Sequence, residues 1–462
     1  EDGVTPIVGV EALAEGYLQP DHVVTGFKRK LGSADVLYTD ANGKAYTATD
    51  LQSLMIATMK EDAERRFNEE VDEAVISVPA NFQDHKKQAT IDAAKAAGIT
   101  ALKLVHEPTA AGIAYALDKK QNGRFVVYDL GGGTFDVSVL QTQGTSVTVL
   151  NTAGRERLGG MDFNQRIERY VLDAFTKENG FEPGRDEEPM FFQELAEKVE
   201  QAKIALSEKA KTRIVVGCQG KQSIVEITRD QFESLTADLL KDSLDCTAQA
   251  VEEAGLSWDQ IDTIIRVGGS VRMPAVETGL AELSGIVPHC DIEPDRAVCY
   301  GAALTCAMEL AGSGKTLMVG GRAIPAPDAF VREVTAHGVG CCVADKDGTL
   351  RNAVILPKGT AIPTSRTDRF CLVFDNQTEA RIEVLQGEEG QPLDKCLSIG
   401  EIVLGNLPSE QKRSKRIEIT YRIDDNGMIH ATGKDLVGGG QVEIQIDYHK
   451  STNTDTANHA AA

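Results

Sequence analysis

At 462 residues, with 42% hydrophobic and 26% charged side chains, the chain is too long for one ordinary core and reads as two or three domains. A formal charge of -22 opposes binding to a phosphate backbone, which asks for a clustered basic surface, so nucleic acid is excluded as a partner. No apolar run approaches the roughly 20 residues needed to span a bilayer, and no membrane partner is expected.

The opening "EDGVTPIVGV" has neither an initiator Met nor the basic-then-apolar layout of a signal peptide. Nine cysteines form no C-x-x-C pair, so the expected setting is a reducing cytoplasm without a disulfide framework. From residue 74 the chain reads strand then helix twice. "AVISVP" precedes the alanine-rich "DHKKQATIDAAKAAG", with Asp84 as candidate N-cap, and "ALKLVHEP" precedes "TAAGIAYALD", with Thr109 as candidate cap. Such alternation predicts a parallel or mixed sheet covered on its faces.

From residue 125, "RFVVYDLGGGTFDVSVL" and "SVTVLNTAG" predict consecutive antiparallel strands, and helices resume near Asp162. Residues 191–207 and 232–254 carry apolar positions at helical spacing, and "IDTIIRVGGSVRMPAV" predicts a strand, a Gly-Gly turn and a helix start. Residues 1–311 thus read as one large α/β unit. Residues 312–335 read as a linker, because "GSGKTLMVGGRAIPAPDAF" is rich in Gly and Pro and lacks either periodicity. Residues 336–449 show period-2 alternation around Asp-Asn and Asn-Gly turns and predict an all-β domain; residues 450–462 read as a polar, disordered tail.

In "VVYDLGGGTFDVSVL" three glycines permit positive φ and let backbone N–H groups meet an anion with no Cβ in the way. Thr134 adds a hydroxyl, and Asp129 and Asp136 bracket the turn from two strands. Two carboxylates beside a phosphate cradle call for a hydrated Mg²⁺, so the pattern points to a Mg-nucleotide; an ordinary glycine-rich hairpin with turn carboxylates remains an alternative. The G-x-x-x-x-G-K-[ST] and G-x-G-x-x-G templates do not fit, since a strand follows the glycines here. "LGGMDFN" and "VGGSVRMP" repeat the Gly-Gly logic, which predicts three glycine turns lining one cleft.

These residues resemble the 70-kDa heat-shock (DnaK-type) chaperone family. "AVISVPANFQDHKKQAT", "HEPTAAGIAYALDK", "VVYDLGGGTFDVSVL", "LGGMDFN", "VEQAKIALS", "VGGSVRMP" and "EPDRAVCYGAA" follow the family's order, as do "DNQTEARIEVLQGE" and "DDNGMIHATGKD" in the β region. The resemblance implies an α/β actin-like (ribonuclease H-like) two-lobed ATPase domain, a linker, and a β-sandwich that holds extended peptides. It also implies ATP/ADP and Mg²⁺ as cofactors. The implied partners are unfolded polypeptides, a J-domain co-chaperone and a nucleotide-exchange factor.

On that resemblance Asp129, Thr134 and Asp136 serve Mg²⁺ and the γ-phosphate, with Asp129 and Asp136 on the metal side, and Gly131, Gly132, Gly133, Gly159 and Gly160 belong to the phosphate turns. Lys28, in "GFKRKLGS", corresponds to the lysine that positions the attacking water, and Glu107 to an acid behind the metal's own ligands. Glu200, Lys203 and Ser207 match ribose and adenine contacts. Gly268, Gly269, Ser270 and Arg272 match the opposite wall, with Asp295 nearby. Pro79 and Lys87 match a proline switch and its basic partner, Lys87 standing where Arg is usual, which turns a forked donor into a point charge. Phe370, Val373, Ala380, Ile382 and Met428 match the peptide channel. Cys341 and Ala344 replace larger apolar side chains there, which predicts a wider channel and altered peptide preference.

Departures from the family pattern set further expectations. Arg332 and Glu333 fall inside the linker segment that should dock apolar side chains, and burying an unpaired Arg is costly, so weak coupling between ATP state and peptide affinity is expected. Met161 and Asn164 stand where acids are usual, and Asn81 where Tyr is usual. Neither the family's first phosphate hairpin (G-I-D-L-G-T-T) nor its helical lid is present, so a fragment with impaired hydrolysis is expected. A regulatory relative with feeble ATPase coupling is the main alternative. A sugar or acetate kinase and an actin-like filament protein share the fold, but neither has a use for a peptide-holding β domain.

Overall fold

A computed structural model describes residues 6–16, 19–119, 122–144, 146–289, 293–345, 348–409 and 415–445. Its centre is a five-stranded sheet in the order Thr263–Val267, Gly123–Leu130, Phe135–Gln143, Ser146–Arg155, Phe330–Arg332. The three middle strands form an antiparallel meander, and each outer strand runs parallel to its neighbour. Alternate residues leave opposite faces of a strand. Val126, Tyr128, Leu130, Phe135, Val137 and Val139 therefore enter one core with the helices Gly160–Asn179, Pro189–Glu208 and Arg229–Glu253. Phe125, Val127, Leu140 and Val149 enter a second core with the helices Glu107–Lys119 and Ala297–Gly312. Burial on both faces is why "RFVVYDL" is apolar without alternation.

The first strand–helix repeat folds as expected: Glu73–Val78 pairs in parallel with Thr100–His106, joined through the helix Asp84–Ala96. Both expected caps are corrected. Asp84 is the first helical residue rather than the N-cap, is 1% exposed, and accepts from the Ile429 N–H at 3.1 Å. The second helix starts at Glu107, two residues before Thr109, which is buried inside it. A hairpin that the sequence pattern does not announce, Lys211–Cys218 with Lys221–Thr228, turns at Gln219 and Gly220, both at positive φ.

The C-terminal region folds as a pair of four-stranded antiparallel sheets sharing one core. Their orders are Leu350–Leu356, Val339–Ala344, Ala380–Gln386, Leu397–Leu404 and Thr364–Cys371, Lys415–Ile423, Ile429–Asp435, Gln441–Gln445. Within the second, Arg416 and Asp435 form a fully buried forked pair, Nε to Oδ1 at 2.7 Å and Nη2 to Oδ2 at 2.6 Å. The expected tail, residues 450–462, and the end of the expected β domain lie outside the described residues.

The stretch expected to lack regular structure carries two elements. Leu317–Val319 and Arg322–Ile324 form a hairpin whose turn amides, Gly320 and Gly321, donate to Glu69 at 3.2 and 2.8 Å. Phe330–Arg332 then joins the central sheet beside Ser146–Arg155. The anticipated buried Arg332 is also corrected, because the strand's alternation sends it to solvent, its guanidinium 5.8 Å from the Phe330 ring centroid. Val331 packs inward with Ile113, Ala116 and Val147, and Glu333 is buried, accepting from the His106 N–H at 3.4 Å.

The β unit rests on the α/β unit through further polar contacts. The Leu104 N–H donates to Asn426 at 3.1 Å, Lys87 Nζ donates to the Gly427 carbonyl at 3.2 Å, and Lys358 pairs with Glu253 at 2.7 Å. His337 Nε2 lies 3.4 Å from the Asn81 carbonyl. Ile91, from the helix Asp84–Ala96, packs against the β unit's core.

Candidate nucleotide site

The strands Gly123–Leu130 and Phe135–Gln143 hold Asp129 directly opposite Asp136, so the two carboxylates are cross-strand partners at the mouth of the glycine turn. Both are buried, at 7% and 2% exposure. The Asn81 N–H donates to Asp136 at 3.0 Å. Glu107, the first residue of its helix, accepts from Lys28 Nζ at 2.7 Å. Burial first, then the Glu107 and Asp136 charges, push the Asp129 carboxyl well above its ordinary range. Burial and Glu107 raise Asp136 to about 7, against the opposing pull of the Asn81 N–H and Lys28. For Lys28 burial works against the ammonium, but Glu107, Asp136 and Asp129 outweigh it and the pKa rises.

Three acids thus face one lysine, and the excess negative charge favours a cation. Among the described residues no group of three or more Asp, Glu, His or Cys side chains is arranged to hold a metal ion alone. Mg²⁺ keeps several waters and takes one or two carboxylates together with phosphate oxygens, a demand that a cross-strand carboxylate pair can meet. Asp129 and Asp136 would hold it.

The three glycine turns do converge. The Gly131 carbonyl accepts from the Gly160 N–H at 2.9 Å and from Ser270 Oγ at 2.9 Å, and the Gly132 carbonyl accepts from the Met161 N–H at 2.8 Å. Close approach requires glycine at Gly159, where a Cβ would sit 2.7 Å from the Gly132 carbonyl carbon and oxygen. It does so again at Gly268, whose φ is +85° and whose Cβ would meet the Leu130 oxygen at 2.5 Å. Thr134 stands at the end of the first turn, its carbonyl accepting from the Gly131 N–H at 3.1 Å.

On the neighbouring helix, Pro189–Glu208, Lys203 Nζ donates to the Gly160 carbonyl at 3.2 Å and pairs with Glu200 at 2.9 Å. Ser207 lies one turn on and lines a narrow cleft with Arg229, Met273 and Pro274. Asn164, where an acid was expected, donates to Glu200 and so complements it. Across the cleft Arg272 Nη2 pairs with Asp295 at 2.6 Å, beside Gly269. Among the described residues, the wall of a cavity of about 550 Å³ lined by Ile7, Leu13, Phe27, Tyr46 and Leu54 carries no lysine or arginine, so it does not compete as a phosphate site.

The remaining expected residues divide. Pro79 is buried and Lys87 is buried at the contact with the β unit, where it meets Asp84 at 3.4 Å and the Gly427 carbonyl. Cys341, Ala380, Ile382 and Met428 belong to the β unit's core, with Phe370 packed against it. Ala344 and Val373 are exposed, so the seven expected channel positions are shared between interior and surface.

Two participants are not legible in the sequence. Arg29 lies in a basic run that reads as a solvated face, yet its guanidinium reaches the Gly133 carbonyl and Asp162. Asn81 contributes its backbone N–H, for which residue type carries no signal. Asp162 was detectable as an acid three residues into a helix after Gly159, the position that caps a helix start. Against known families, the Hsp70 model, described as Hsp70 protein, matches residues 16–461.

Proposed function

Because the chain belongs to the Hsp70 family, whose members are ATP-binding chaperones with an actin-like ATPase fold, we propose that it works as a DnaK-type chaperone. In this reading MgATP binding and hydrolysis control the release and capture of extended apolar peptide segments. Residues 1–311 form the two-lobed ATPase, 312–335 the connector and 336–449 the peptide-binding sandwich, acting with a J-domain co-chaperone and an exchange factor in the cytoplasm.

The carrying observation is the convergence of three glycine turns on one carbonyl, Gly131, next to the Asp129–Asp136 pair. Bound nucleotide would bring Mg²⁺ as a charge clamp on the phosphates. The chain's own role is positioning: Asp129 and Asp136 orient the cation, Lys28 is held charged by Glu107 and aims a water, and Thr134 presents its hydroxyl. Glu200, Lys203, Ser207 and Arg272 flank the adenosine.

The connector supports coupling between the two units. Phe330–Arg332 extends the same sheet whose inner strands carry the phosphate turn, with Arg332 kept outside. This favours a coupled chaperone over the regulatory relative, and the β unit leaves a small-molecule kinase or a filament protein without a role for it. Single-turnover ATP hydrolysis and fluorescent-peptide release, each with and without its partner ligand, test the reading. Absence of both peptide-stimulated hydrolysis and ATP-driven release would overturn it.

A further inference from the structure

Arg29 sits in the short turn Phe27–Lys30, between two lysines, yet its side chain is only 16% exposed. Its Nε and Nη2 donate to the Gly133 carbonyl at 2.9 and 2.6 Å, and Nη1 and Nη2 donate to the two Asp162 oxygens at 3.1 and 2.5 Å. Asp162 in turn accepts from the Gly159 N–H at 2.8 Å. One guanidinium therefore ties the triple-glycine turn to the start of the helix Gly160–Asn179.

The direction of those bonds matters. In a planar trans peptide the C=O and the following N–H point opposite ways. The Gly131 carbonyl is held by Gly160 and Ser270, the Gly132 carbonyl by Met161, and the Gly133 carbonyl by Arg29. The partner amides, those of Gly132, Gly133 and Thr134, must then face away from these anchors. Among the described residues they donate to no protein group. Three unspent N–H groups turned from these anchors can serve as an anion cradle, and the third is set by the hold of Arg29 on the Gly133 carbonyl.

We propose that Arg29 is a positioning residue for nucleotide phosphate: it fixes the Gly133 carbonyl, so the Thr134 amide points at the phosphate chain, and locks the two glycine turns together through Asp162. The inference rests on the nucleotide reading above. It assigns Arg29 a geometric task rather than a merely attractive charge, and it confines that task to the phosphate end of the ligand.

The test is calorimetric titration of wild type, Arg29→Ala, Arg29→Lys and Asp162→Asn with MgADP and separately with adenosine, alongside their unfolding midpoints. Charge-assisted hydrogen bonds contribute enough that Arg29→Ala should weaken MgADP binding by about tenfold or more. Arg29→Lys should weaken it almost as much, because one ammonium cannot hold the Gly133 carbonyl and both Asp162 oxygens in a fork. Adenosine affinity should be unchanged in all variants. Wild-type MgADP affinity in Arg29→Lys would overturn the proposal in favour of simple charge. Equal weakening of MgADP and adenosine would overturn it in favour of a purely structural role. A wild-type chain that binds no MgADP would instead remove the nucleotide reading, and this inference with it.

Discussion

Replacing Asp136 with an asparagine should make the nucleotide-free protein more stable at alkaline pH while destroying its response to Mg-nucleotide. In the folded chain Asp136 is lifted from 3.8 to about 7, chiefly by burial and by Glu107. Between those values the folded state binds a proton that the unfolded state has released, so stability falls as pH rises through the window. The shift corresponds to about 4 kcal/mol as an upper value once pH exceeds the folded pKa, at about 1.36 kcal/mol per unit. A side-chain amide carries no such proton, so Asp136→Asn should gain stability over wild type near pH 8 by up to that amount and show little difference near pH 4. Trp258, the single tryptophan, packs against the core beside the central sheet, so urea unfolding followed by its fluorescence reports this unit alone. With excess MgADP the order should reverse, since a cation supplies the charge that the buried pair lacks. A pH-independent difference, or a variant no more stable than wild type at alkaline pH, would refute the electrostatic account.

Gly159→Ala places a Cβ 2.7 Å from the Gly132 backbone, so it should force the two glycine turns apart, costing about 1–3 kcal/mol of stability and lowering MgADP affinity in calorimetry. Asp435→Ala leaves Arg416 buried without its forked partner and should destabilise the β unit by about 3–5 kcal/mol, read by hydrogen exchange in Lys415–Ile423. Acid should undock the β unit. Burial holds the His106 imidazole below 6.5, with Lys87 adding to this and Glu333 opposing it, and burial likewise lowers His337. Once undocked these rings take up protons that the docked rings refuse, so docking is favoured above 6.5 and weakens as pH falls toward the lowered values. Energy transfer between dyes on the two units should show the change as pH falls below 6.5, and His106→Asn with His337→Gln should flatten it.

Much of this architecture is written locally. "RFVVYDL" and "FDVSVL" are legible because strands buried on both faces must be continuously apolar, and the triple-glycine turn is legible because its glycines and carboxylates are contiguous. The hairpin of Lys211–Cys218 and Lys221–Thr228 buries one face, and its turn, Gln219-Gly220, lacks the usual Asn-Gly or Asp-Gly signal. Phe330–Arg332 is three residues long, too short for any period to register, and its strand character comes from the neighbour it joins. Asp84 illustrates the same limit: a residue type suited to capping was recruited by an amide in the distant strand Ile429–Asp435. Arg29 reads as one charge in a basic run until the fold brings Gly133 and Asp162 to it.

The strand Phe330–Arg332 also acts as a cover. While it is seated, residues 146–148 have their hydrogen-bonding edge occupied by the chain itself. If the connector leaves, that edge becomes a naked row of donors and acceptors, able to recruit any extended chain and to seed aggregation. Any release of the connector would therefore carry that hazard. A protein built this way has reason to keep the released interval short, and crowding with extended polypeptide would sharpen that need.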